Sequence, residues 1–225
     1  MNRKEILLIC LILCFICSLQ AVASADVSVD DTHDVKLVAS SNAIDNDLSS
    51  YSHSENNQIL RGENDDAGSF SDLQNKINSE SGRITLDKNY TFNESLLTDI
   101  ALASSGIVVQ KDSTLEIVGD PTKNITINGL GDSKLFSFKS HVILQNINFI
   151  NGVGHKTSSI TSDDMLEISD CRFFDNTGKL GGAIQANDGL TITDSIFEGN
   201  LALDGGSIYI GNSNSESRIE NCNFH

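Results

Sequence analysis

The sequence predicts an all-β solenoid, a coil of short strands stacked turn upon turn, and three observations carry that prediction. Leu166–Ile184 and Leu190–Ile208 share one pattern, so that Ile168 and Ile192, Asp170 and Asp194, Phe173 and Phe197, Asn176 and Asn200, and Gly181 and Gly205 all stand 24 residues apart. The core of the unit recurs at Leu144–Phe149 and Ile219–Phe224, and its phenylalanines, Phe149, Phe173, Phe197 and Phe224, follow at intervals of 24, 24 and 27 residues. Within each unit apolar and polar residues alternate, the period of a β-strand. A fixed repeat of this length means that each unit buries its apolar face against its neighbours alone. Several short segments per unit fit three strands per turn. The period of two excludes helical solenoids, and the L-x-x-L-x-L framework of leucine-rich repeats is absent.

In chain order, Met1–Lys4 opens a segment with a basic start, an apolar run from Ile6 to Leu19 and a small-residue site at Ala23-Ser24-Ala25. This is a secretory signal peptide over residues 1–25, with cleavage expected between Ala25 and Asp26. The alternative, an uncleaved membrane anchor, has a run shorter than the ~20 apolar residues a span needs. Nothing later in the chain reads as a membrane span. Residues 26–67 carry ten acids against Lys36 and Arg61 and show no sustained periodicity. Such a stretch buries too little apolar surface to offset ordering and reads as a disordered spacer.

The folded domain is expected over 68–225. Ser71-Asp-Leu-Gln74 reads as a capping box, Leu73 and Ile77 share a helical face, and Gly82 closes the segment. A short helix here would cover the first rung of the solenoid, whose edge and interior would otherwise lie open. Strand patterns follow at Ile84–Leu86, Tyr90–Phe92, Ile107–Val109, Leu115–Val118, Ile125–Ile127, Leu135–Phe138, Val142–Leu144 and Ile147–Phe149. Ser95–Gly106 reads as an excursion from the stack.

The unit itself assigns roles to single residues. Ile168, Cys171 and Phe173 face inward. Asn146, Asp170, Asp194 and Asn221 form a bend column, because Asn and Asp tolerate the left-handed conformation a sharp corner needs. Stacked phenylalanines add about 0.5–1.5 kcal/mol per pair beyond burial. Gly181-Gly182 and Gly205-Gly206 supply a turn closed to side chains. Ile147, Cys171, Ser195 and Cys222 share one column, so Cys171 and Cys222 lie two rungs apart, nearly 10 Å at the ~4.8 Å strand spacing. A disulfide needs Cα atoms within about 7 Å. No disulfide is expected, and both thiols should be buried.

The F-x-x-N and G-G-A-I motifs, as Phe173-x-x-Asn176 with Gly181–Ile184 and Phe197-x-x-Asn200 with Gly205–Ile208, resemble the repeats of chlamydial polymorphic membrane proteins. The leader, the acidic spacer and the start at Phe70-Ser-Asp-Leu-Gln with Ile84-Thr-Leu-Asp-Lys-Asn-Tyr are similar to adhesin-like surface proteins of methanogenic archaea. The resemblance covers about residues 68–225. It implies a right-handed, single-stranded parallel β-helix of the pectate-lyase type and a role in surface adhesion. One departure is plain: Gly152 stands where the Asn after Phe149 is expected.

The formal net charge of -16 argues against a nucleic-acid partner, which needs a basic footprint. Gly152-Val-Gly154-His155-Lys156 and Asp163-Asp164 resemble, in reversed chain order, the G-H-G and D-D elements of polygalacturonases. Paired carboxylates serve hydrolysis only at a defined separation with one raised pKa, whereas adjacent acids in a Ser/Thr-rich loop are usually solvated. A lyase would need a basic cluster beside a metal, and Lys179 and Arg172 stand alone. Asp170 and Asp194 could take Ca2+, but a bend column hydrogen-bonded to backbone amides is the simpler expectation. Asn89, Asn93 and Asn124 head N-glycosylation sequons.

The sequence therefore leads to an exported, non-catalytic surface protein attaching to a cell or glycan, with no cofactor or metal. A polysaccharide-active enzyme and a structural envelope protein are the rivals. Because the last unit stops in mid-repeat after Phe224, the chain is expected to be part of a longer display protein or a truncated copy. N-terminal sequencing of the exported product should begin at Asp26; a start at Met1 would identify a retained anchor.

Overall fold

Parallel backbone pairing joins residues one repeat apart, and the register matches like residue to like. Leu166 pairs with Leu190, Ile168 with Ile192, Phe173 with Phe197 and Ile160 with Ile184. The computed structural model describes residues 67–211 and 215–225. The expected signal peptide, its expected cleavage site at Ala25 and Asp26, and the expected spacer up to residue 66 lie outside the described residues. The described chain is a parallel β-helix of about six turns, the fold class the repeat predicts.

Three sheets form the walls. The aromatic sheet stacks Gly68–Ser69, Tyr90–Thr91, Thr126–Asn128, Asn148–Ile150, Arg172–Phe174, Ile196–Glu198 and Asn223–Phe224. The aliphatic sheet stacks Arg83–Leu86, Leu115–Gly119, Val142–Gln145, Leu166–Ser169, Leu190–Thr193 and Arg218–Glu220. The third sheet stacks Ile107–Val109, Phe136–Phe138, Ile160–Ser162, Ile184–Ala186 and Ile208–Ile210. A short fourth sheet, Val153–Gly154, Thr177–Leu180 and Leu201–Asp204, bridges the aromatic and third sheets, so the later turns carry four strands rather than three. Its strands begin one residue after each Asn or Gly of the F-x-x-N position, where alternation is too brief to read.

The interior is filled by columns. The rings of Phe149, Phe173, Phe197 and Phe224 stack with their planes nearly parallel, with centroids 5.0, 4.6 and 4.8 Å apart. Their separation equals the ~4.8 Å distance between strands, so stacking follows directly from the ladder. Phe136 closes the column from the third sheet, edge-on to Phe149 at 6.1 Å. In the early turns Tyr90 and Ile127 hold the same position. Predicted strand limits shift by one residue in places, as at Thr126–Asn128 for 125–127 and Asn148–Ile150 for 147–149, because the bend residue before each strand ends the pairing.

Two helices cap the start. Helix α1, Phe70–Ser79, buries Phe70, Leu73 and Ile77. Its capping box is Ser69 with Asp72, not Ser71 with Gln74: the Ser69 hydroxyl accepts from Asp72 N at 3.1 Å, and Asp72 Oδ2 accepts from Ser69 N at 2.9 Å. Both tetrads satisfy the capping pattern, but Gln74 is needed elsewhere. Its Oε1 accepts from Val108 N at 2.7 Å and its Nε2 donates to Val108 O at 2.9 Å, imitating a further strand at the edge of the third sheet. The helix ends at Ser79 with Glu80 extended, ahead of Gly82. The excursion at 95–106 contains helix α2, Leu97–Ile100, whose fully buried Asp99 accepts backbone N–H bonds from Phe70, Ser71 and Asn93 at 2.8–3.0 Å. A carboxylate at the positive end of α1 is favourably placed. Two cross-rung ion pairs, Arg83–Glu116 and Lys139–Asp163, and a hydrogen bond between His141 and Glu167 lace the exterior at partly exposed positions.

Replacing Phe173 by Ala removes a ring stacked on both sides and should cost about 3–5 kcal/mol in chemical denaturation. Phe224→Ala, at a half-exposed ring, should cost clearly less. Equal losses would show that the column does not carry the stability.

Candidate functional site

The corner between the aliphatic and aromatic sheets is made by one residue per turn. Asn146, Asp170, Asp194 and Asn221 have φ of 57, 52, 50 and 52°, the left-handed conformation the repeat predicts for them. Short polar side chains tolerate this region because they meet the backbone with little steric conflict. Behind the corner, Cys171 and Ser195 are buried, and the Ser195 hydroxyl accepts from Cys171 N at 3.1 Å and donates to Thr193 O at 2.8 Å. Cys171 and Cys222 are free thiols; Cys222 is half-buried rather than buried, because it lies in the last described rung. Burial pushes the Cys171 thiol up to about 12, which makes it a packing residue rather than a nucleophile.

The bend column is not uniformly tied to the backbone as expected. Asn146 Nδ2 donates to Gly119 O of the previous turn at 3.0 Å. Asp170 and Asp194 have no N–H to donate to the equivalent carbonyls. Both are exposed, and among the described residues their carboxylates make no hydrogen bond or ion pair. Beside them Asn148, Arg172 and Ile196 occupy one position on three successive turns. The exposed Arg172 guanidinium likewise has no partner among the described residues. These residues and Asn124 line an open groove of about 270 Å³ along the corner. Asn148 Nδ2 donates to Asn124 Oδ1 at 2.8 Å, closing one end. The groove thus presents two carboxylates and one fork of five donors without partners among the described residues, while the Asn146 and Asn148 amide nitrogens are engaged internally.

The other positions singled out by the sequence are structural. Asn176 is fully buried and saturated: Nδ2 donates to Phe149 O and Asn200 Oδ1, both at 3.0 Å, while Oδ1 accepts from Gly152 N at 2.9 Å. Asn200 repeats the pattern one turn on, donating to Phe173 O at 2.9 Å. Each Asn reaches back one turn, which accounts for Gly152. A Cβ there would lie 2.6 Å from Leu135 and 2.9 Å from Asn176 Oδ1. Gly181 and Gly205 turn at φ of 73 and 81°, and Gly206 at 53°. A Cβ on Gly182 would meet Asn176 O and Leu201 N at 2.7 Å.

The polygalacturonase-like residues lie on two segments separated by the strand Ile160–Ser162. His155 and Lys156 are in the turn after Val153–Gly154, and Asp163-Asp164 follow a strand of the third sheet. Asp163 pairs with Lys139 and accepts from Asn187 at 2.8 Å, and these bonds hold its carboxyl below the usual range. Asp164 accepts from its neighbour Met165 N at 2.7 Å. Lys134, which the sequence did not mark, is buried with its ammonium on Thr161 Oγ1 at 2.7 Å. Burial, then Lys139, draws it down to about 8 against a smaller opposing pull from Asp163. Just before the aliphatic strand Val142–Gln145, His141 bridges Thr114 at 3.1 Å and Glu167 at 2.8 Å, a contact without a sequence signal. Of the sequon residues, Asn93 and Asn124 are exposed, while the half-buried Asn89 accepts from Thr126 N at 2.9 Å. Among the described residues no group of three or more His, Cys, Asp or Glu gathers to hold a metal, and no helix is long and apolar enough to cross a membrane. Comparison with family models, with curated proteins and with solved structures returns no match to this chain. The parallel β-helix class therefore rests on the topology itself.

Asn176→Ala would strand Gly152 N and Phe149 O in the interior, an expected loss on the order of 3 kcal/mol by denaturation. For Lys134, the folded pKa lies below the unfolded value of 10.5, so between about 8 and 10.5 the unfolded chain binds a proton that the folded chain does not. Wild-type stability should rise across that window relative to Lys134→Met; a constant difference would mean that the ammonium is not strained.

Proposed function

We propose that this chain is an exported cell-surface protein that displays its β-helix for attachment to cells or glycans and carries out no reaction. The supporting observation is the corner groove, where Asp170, Arg172 and Asp194 keep charged groups free for an external partner. Scaffold residues elsewhere satisfy one another, as Asn176 and Asn200 do, so open charges at two consecutive corner positions, with Arg172 on the strand between them, need another account. Solvent supplies part of it, since exposed charges are stable in water. The cavity and the mixture of donors and acceptors favour a ligand. The leader peptide supports export, and the resemblance to adhesin-like proteins supports attachment.

The test uses the secreted full chain against whole cells and a polysaccharide panel. Retention without new reducing or unsaturated ends is the expected result, and Arg172→Asn should weaken it because Asn148 shows that Asn fits this position. Release of such ends would replace the reading with a polysaccharide-active enzyme, and failure to bind any surface would leave a structural envelope protein.

A further inference from the structure

The charge balance of the groove narrows the ligand. We infer that it binds an uncharged carbohydrate, whose hydroxyls donate to Asp170 and Asp194 and whose oxygens accept from Arg172. This inference rests on the attachment reading above.

Three features lead to it. Two carboxylates and one guanidinium line the groove, so it is negative by one charge, within a chain of net charge -16. A polyanion such as a polyuronate would meet repulsion both locally and at long range. The same lining disfavours a bound cation, since Arg172 shares the groove with the acids. What remains is a neutral molecule rich in groups that both donate and accept. A sugar hydroxyl does both at once, and charge-assisted bonds from carboxylate and guanidinium are the stronger kind.

The ladder adds geometry. The corner residues that carry the two carboxylates follow strands in register, so their backbones repeat at the ~4.8 Å spacing of the turns, as do those of Asn148 and Arg172 beside them. Hydrogen-bonding groups in two parallel columns suit an extended glycan lying along the solenoid axis better than a compact ligand. The lining residues include no aromatic ring, so no stacking platform contributes. A single groove should therefore bind weakly, and useful adhesion would come from many copies on one surface.

The repeat supplies variants that preserve the fold. Asp170→Asn and Asp194→Asn place at each corner the residue found at Asn146 and Asn221, and Arg172→Ile places there the residue found at Ile196. The full chain is immobilised and exposed to β-1,4-glucan, β-1,3-glucan and α-mannan oligosaccharides, to polygalacturonate and to CaCl2 alone, with binding read by surface plasmon resonance. A parallel arm measures attachment to whole cells. The expected result is retention of at least one neutral glycan in the presence of EDTA, about tenfold weaker in the Asp170→Asn/Asp194→Asn double variant and in Arg172→Ile, with unchanged thermal midpoints. Preference for polygalacturonate, or binding of calcium that the double variant abolishes, would overturn the inference. If cells are bound through Arg172 but no neutral glycan is retained, the inference falls and the attachment reading stands. If cells are not bound either, both fall.

Discussion

Every feature of this protein depends on the parallel hydrogen-bond ladder that sets one turn on the next in register. Parallel pairing brings each residue over its equivalent, so whatever the repeat places at one position becomes a column. Columns of Phe become a ring stack at centroid distances of 4.6–5.0 Å. Columns of Asn become an internal chain of hydrogen bonds through the side-chain amides of Asn176 and Asn200. The ladder fixes the spacing, and the side chains need only be the same kind to benefit.

The same constraint creates a problem at the ends and solves it locally. A parallel stack has an open first strand, with unpaired N–H and C=O groups and an exposed interior. Here α1 covers the interior with Phe70, Leu73 and Ile77, while the Gln74 amide pairs with Val108 as a strand would. Asp99 then joins α1 to the excursion at 95–106 through three backbone amides. The cap is therefore a set of single side chains doing the work of backbone.

At the corner, register also sets up the candidate site. The backbone there demands Asn or Asp, and either satisfies the conformation. The choice between them has a different consequence outside. Asn146 uses its amide to bond the previous turn, whereas Asp170 and Asp194 leave carboxylates facing solvent beside Arg172. Substitution within one conformational class thus changes the surface chemistry without disturbing the stack. A solenoid can in this way vary its ligand and keep its fold.

The repeat by itself determined the turn length, the inward Phe and Ile columns, the left-handed corners at Asp170 and Asp194 and the close turns at Gly181 and Gly205, because each follows from a period and a local backbone preference. The excursion and the helical face of Leu73 and Ile77 were legible for the same reason. Tertiary structure decided the rest. Two capping boxes, at Ser69 and Ser71, were equally allowed, and only contact with Val108 directed Gln74 away from the helix end. The short fourth sheet has too few residues for a periodic signal. Gly152 looked like a defect in the motif until Asn176 was seen to fill its place from the next turn. The groove was the least legible feature, since its residues come from four turns, and whether a carboxylate is open or bonded depends on neighbours that the linear order does not bring together.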